Sequence, residues 1–184
     1  MMKKQSSQQS GRSMMEAMAY ISIMMLVTVS MSAAVNSGYD KFKLGRINQE
    51  LSDLKKVVSQ RYVAAENYKE VKFDTLINEK IVPYDVRDKK HAFGGDISIG
   101  SNNEGETYYI RFSDVPHRAC MELGSRVWVF NDGSDLDALT INGNTWAWKS
   151  SIFENPHHFL PAKISDVGSQ CKKDDKNVIE WSFN

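Results

Sequence analysis

Apolar and polar positions follow three successive rhythms along the chain. From Ala17 to Tyr39 no ionised side chain interrupts a largely apolar run. As a helix these residues span about 35 Å, enough to cross a hydrocarbon layer. The stretch is longer than the apolar part of an ordinary signal peptide, and no small-x-small cleavage site follows it, so an N-terminal membrane anchor is expected. Beyond it, Leu44, Ile47, Leu51, Leu54, Val58 and Tyr62 recur at steps of three and four, with Gln49, Lys55, Lys56 and Arg61 among the polar positions. That is one face of an amphipathic helix. No proline occurs before Pro83, so a single helix over about 13–65 is expected. Asn36, Ser37, Gly38 and Gly45 are weak helix formers and mark the place for a bend.

The third rhythm is mixed. KFDTLINEKIV (72–82) reads as a short helix ended by Pro83. Alternation predicts a strand over Asp96–Ile99 and another over 107–112, joined by the turn SNNEGE. VPHRACMELGSRV (115–127) begins a helix at its proline and places Val115, Ala119 and Leu123 on one face. Strands are expected at 127–130, 137–141, 145–149 and 177–183, with Asn142-Gly143 turning a hairpin. The fold class is therefore α+β: a long N-terminal helix packed on a mainly antiparallel sheet.

Composition adds two constraints. The 184 residues carry 23 basic and 23 acidic side chains, so no net field points to a nucleic acid partner. Four Trp, seven Tyr and eight Phe are those of a folded chain. Cys120 and Cys171 are too far apart for a zinc knuckle or a redox pair. A disulfide is the natural use of two such cysteines in an exported domain; two separate buried thiols are the alternative. Orientation is contested: Lys3, Lys4 and Arg12 precede the apolar run while Lys41, Lys43, Arg46 and Lys55 follow it, a count that favours a cytoplasmic head. The disulfide favours export.

Glu16 stands at the start of the apolar run. A carboxylate in a membrane helix costs up to about 3 kcal/mol on insertion scales, so such residues tend to be paired and functional. It follows Gly11, Arg12, Ser13, Met14 and Met15. This arrangement resembles the processing site of type IV prepilins and of the pseudopilins of type II secretion. The resemblance implies a leader of residues 1–11, cut after Gly11 by a prepilin peptidase to leave Arg12 as the new terminus. Glu16 becomes the fifth mature residue and pairs with the terminal amine of a neighbouring subunit. Arg12 departs from the apolar first residue usual in pilins, which leaves its N-methylation open. AFGGDISI (92–99) and IRFSDVPHRACMEL (110–123) resemble the head of the type IVb-like and thin conjugative pilins. There the cysteine after the VP helix start is bonded to one just before the last strand, which implies Cys120–Cys171 and an enclosed variable region, 121–170.

Taken together these expectations give a leader (1–11), a spine helix (12–65, membrane span about 17–39) and a head (66–184). The partners are the peptidase, further copies of the chain in a helical filament, the pilus assembly machinery and inner-membrane lipid. The head lies in the periplasm before assembly and on an extracellular pilus after it. A minor pilin, a pseudopilin and a membrane-tethered binding module that never polymerises are the alternatives.

Other motifs carry less. Adjacent His157 and His158 point to opposite faces of a strand, with His91 and His117 distant in sequence, so they make a poor metal chelate. Asp132, Asp135 and Asp137 lack the spacing of a calcium loop and read as a solvated turn. Trp146 and Trp148 share one strand face, as sheet core or as an exposed pair contacting a sugar or a subunit. No nucleophile elbow, phosphate loop or catalytic Cys-His pattern appears, so no enzyme and no cofactor is expected.

Overall fold

The computed structural model describes residues 9–65, 67–128, 136–148 and 158–184, without the side chains of 9–13, 27–37, 103 and 158. Two compact units divide the chain, Met1–Phe42 and Lys43–Asn184. Helix α1 runs Gln9–Tyr62, and Gly38 and Gly45 both lie within it, so neither melts the helix.

In the second unit the amphipathic stripe performs as its spacing requires. Leu44, Ile47, Leu51, Leu54 and Val58 are at most 4% exposed, each contributing about 1.5–3 kcal/mol by leaving water. Lys55 overturns its polar assignment: it is fully buried, with its ammonium 5.4 Å from the centre of the Phe183 ring. An aromatic face attracts a cation more strongly once both have left water.

The stripe belongs to the same core as one face of a six-stranded sheet of order β1-β2-β6-β3-β4-β5. The strands are β1 (Ile97–Asn102), β2 (Thr107–Val115), β3 (Leu136–Ile141), β4 (Asn144–Ala147), β5 (His158–Phe159) and β6 (Asn177–Phe183). All neighbours are antiparallel except β4 and the two-residue β5. Alternation sends Tyr108, Ile110 and Phe112 of β2 into the core opposite Phe183, Trp181 and Ile179 of β6. Across β6, Leu139 and Ile141 continue that face. Arg111 and Glu180 face each other on the opposite side, Nε to Oε2 at 2.7 Å. The Asn-Gly turn forms as expected, with φ of 50° and 90°, so β3 and β4 meet through two residues.

Three short helices pack around this frame: α2 (Phe73–Asn78), α3 (His117–Ser125) and α4 (Ile164–Gln170). Helix α2 stops well short of Pro83. Lys80 takes φ 60°, and the N–H groups of Lys80 and Ile81 return to the carbonyls of Ile77 and Leu76, a left-handed close on the helix end. Val115 belongs to the end of β2 and not to the following helix, and β1 lies one residue later than expected at its start and three at its end. The strand expected at 127–130 is absent at Val127 and Trp128; residues 129 and 130 lie outside the described ones. Trp128 instead lays its ring edge-on to Trp181 at 5.5 Å and donates its indole N–H to the Leu123 carbonyl.

Cys120 and Cys171 form the disulfide, Cα atoms 5.9 Å apart, joining α3 to the residue after α4. Around it sits a filled polar network. Asn177 is fully buried; its amide donates to the carbonyls of Val115 and Lys172, and its oxygen accepts from Lys172 N–H and Asn142 Nδ2. Every donor and lone pair of that side chain is used. Asn142 in turn donates to the Gln170 carbonyl and accepts from Val178 N–H. The enclosed region is thus tied to the sheet on the sheet's own hydrogen-bonding terms. Gly124 lets α3 approach: a Cβ there would stand 2.5 Å from Ile141 Cδ1 and 2.7 Å from Val167 Cγ1.

Candidate assembly site

The residues singled out for processing and assembly all lie in the first unit. Gly11 and Arg12 are helical, within α1; their side chains are outside the described ones. Glu16 is exposed one turn further on. Around and after it Met14, Met15, Met18, Tyr20, Ile21, Ile23, Met24, Met25 and Leu26 are all 57–77% exposed. Steps of 100° distribute these side chains over every side of the helix. A helix that is apolar all round has no solvent face and is stable only when surrounded by lipid or by other helices. The Ser22 hydroxyl within it donates to the Met18 carbonyl at 2.8 Å and so needs no outside partner. Among the described residues no helix is long and apolar enough to cross a membrane. The expected span includes 27–37, whose side chains lie outside them.

The other candidates separate. His91 is buried and belongs to a loop contact in the head, while the backbone N–H of His117 donates to Asp175 Oδ1 at 2.7 Å. His158 contributes backbone to β5, and His157 lies outside the described residues. Among the described residues no group of three or more His, Cys, Asp or Glu converges to hold a metal ion. Asp132 and Asp135 lie outside the described residues. Asp137 is no part of a solvated turn: it sits in β3, 6% exposed, and burial raises its carboxyl above the usual range. The tryptophans divide, Trp146 fully buried in the sheet core and Trp148 45% exposed past the end of β4.

Sequence reading missed what the glycine-rich stretch before β1 does. His91 donates from Nε2 to the Ser113 carbonyl at 2.7 Å, and its Nδ1 accepts the Phe93 N–H at 3.2 Å. Ala92 N–H reaches Glu50 Oε2 on α1 at 3.1 Å, and Arg46 holds the other oxygen of that buried carboxylate at 3.1 Å. Burial raises the Glu50 carboxyl; the Ala92 and Arg46 contacts oppose the rise without cancelling it. A Cβ at Gly95 would fall 1.9 Å from Ser113 O and 2.5 Å from His91 Nε2. Gly95→Ala is therefore expected to cost about 3 kcal/mol, read as a lower urea midpoint at unchanged slope.

The fold is matched among known proteins. The family model described as PilS N terminal matches residues 44–184. The crystal structure of TcpA, a type IV pilin from Vibrio cholerae El Tor biotype, shares the fold with a TM-score of 0.54 at 13% identity, covering 76% of this chain and 98% of that one. No curated protein matches the chain. Fold and family agree with the resemblance read in the head motifs, and the chain belongs to the PilS family of type IV pilins.

Proposed function

We propose that this chain is the structural subunit of a type IV pilus. Prepilin peptidase removes residues 1–11 after Gly11, the helix over about 17–39 holds the subunit in inner-membrane lipid, and the head waits in the periplasm. The assembly machinery then draws subunits into a helical filament through the helix of residues 12–65, leaving the heads (66–184) on its extracellular surface. The same apolar side chains serve first in lipid and then against copies of themselves, so assembly trades one apolar surrounding for another. The observation that supports this most directly is the helix bearing Glu16, apolar on every side and exposed in the single chain.

Intact mass and N-terminal sequencing of protein extracted from membranes and from shed fibres test the reading. Both samples are expected to begin at Arg12. An uncut terminus at Met1 or Met2, or fibres without this polypeptide, overturns it. A tethered module that never polymerises would show the cut form in membranes and none in fibres.

A further inference from the structure

We propose that Lys90–Gly95 is an acid-released strap, held closed across the head by the neutral imidazole of His91. The strap is a tight loop: His91 N–H donates to the Gly95 carbonyl at 3.0 Å and Gly94 N–H to the His91 carbonyl at 2.7 Å. His91 to Phe93 are fastened by one bond to Ser113 on β2, one to Glu50 on α1 and one within the loop, from Phe93 N–H to His91 Nδ1, while Lys90 bonds to Asp88 and Asp96. The His91 ring, 3% exposed, stacks on Phe112 at 5.2 Å, while Lys43 lies over Phe93 at 5.3 Å. The Ser113 carbonyl only accepts, so Nε2 carries the hydrogen; Phe93 N–H only donates, so Nδ1 must be bare. One neutral tautomer satisfies both.

A proton at Nδ1 breaks this arrangement. It opposes two donors, Nδ1–H and Phe93 N–H, and puts a charge in a site closed to water, a desolvation cost that outweighs the attraction of the stacked Phe112 ring for a cation. The neighbouring charges do not rescue it. Burial holds the imidazole below its ordinary value, although the bond to the Ser113 carbonyl, Asp114 and Asp96 favour the cation; Lys90 opposes it, and Glu50 is engaged by Arg46 and Ala92 N–H. Behind Arg46 stands Asp85, at 3.3 Å from its guanidinium.

The sign follows from proton linkage. With the strap open His91 takes its proton near pH 6.5, and with it closed only at lower pH. Between those values the open form binds one more proton, so its population relative to the closed form rises up to about tenfold for each pH unit lost. Glu50 works in the opposite sense. Its carboxyl is raised in the closed form, so its protonation at lower pH favours closure. Acid release therefore belongs to His91 alone.

Amide hydrogen exchange on the whole chain in detergent micelles at pH 7, 6 and 5, corrected for intrinsic exchange, tests this. Ala92 and Phe93 amides are expected to lose protection by up to about tenfold per unit, while those of Ile110 and Trp181 hold theirs. In His91→Asn the side-chain oxygen still accepts Phe93 N–H but does not titrate, so protection should no longer fall as the pH is lowered, and any remaining dependence should have the opposite sign, from Glu50. Flat protection in the natural chain, or an unchanged slope in His91→Asn, overturns the proposal. Should His91→Asn fail to fold, Glu50→Gln decides: a persisting slope supports His91 as the trigger, and a vanished slope moves the trigger to Glu50 and sinks it.

Discussion

Glu16→Ala is expected to abolish fibres while the subunit still accumulates in membranes with a folded, disulfide-bonded head. On the proposed reading, the carboxylate meets the terminal amine of a neighbour among side chains such as Met14, Met15 and Met18, which are 60–77% exposed in the single chain. Once packed, that surrounding contains little to solvate an ion. Removing one member of a buried ion pair costs about 3–5 kcal/mol because the other is left uncompensated. Each subunit contact is then weakened by more than about a hundredfold, and a filament repeats the loss at every step. Glu16→Gln should fail as Glu16→Ala does, because the neutral amide cannot meet the charge, whereas Glu16→Asp should retain some assembly. Electron microscopy and immunoblotting of sheared fibres, with membrane fractions as the control, separate loss of assembly from loss of protein. Normal fibres from Glu16→Ala would remove the role assigned to this residue.

The largest expected effect on stability comes from the paired change Cys120→Ser and Cys171→Ser. The bond closes a loop of sequence separation 51, and in the chain-entropy model its loss costs about 4 kcal/mol. For a head of this size that is roughly 10–15 °C in Tm. Calorimetry of oxidised and dithiothreitol-treated protein measures the same quantity without substitution. The loss should be uneven. The Asn177 and Asn142 bonds hold the start of β6 and the β3–β4 turn independently of sulfur, so exchange should rise first at α3 and α4, which the disulfide joins directly. Equal Tm with and without the bond would show that the polar network alone closes the region.

How much of this could be read from the residues depended on whether a segment's partner was local. The α1 stripe and β6 were legible because each repeats its own period and buries one face. The β3–β4 hairpin was legible because Asn142-Gly143 fixes its turn. Helix α4 was not: within ISDVGSQ only Val167 is buried, too little to set a period, and the helix depends on α3 across the disulfide. Trp128 looked like a strand residue because of its aromatic neighbours, yet its position is set by Trp181, 53 residues later in sequence. Lys55 was misplaced because a charge in a polar-looking position gives no sign that an aromatic ring waits above it. At the candidate site, Gly11, Arg12 and Glu16 were legible as a motif, whereas the His91 contacts were hidden in a stretch recognised only for its glycines. His91, Glu50 and Ser113 come from three separated parts of the chain, and only the folded head brings them together.

The position of β6 has a further consequence. Residues 177–183 lie between β2 and β3, so the β1–β2 and β3–β4 hairpins share no edge with each other. During synthesis both hairpins exist before the segment that unites them, and each exposes one unsatisfied edge in the meantime. Such long-range closure is slow. Until residues 177–183 pair with both, the facing edges of the two hairpins are open to neighbouring chains, so β6 is the segment whose late arrival most exposes the fold to edge-to-edge association.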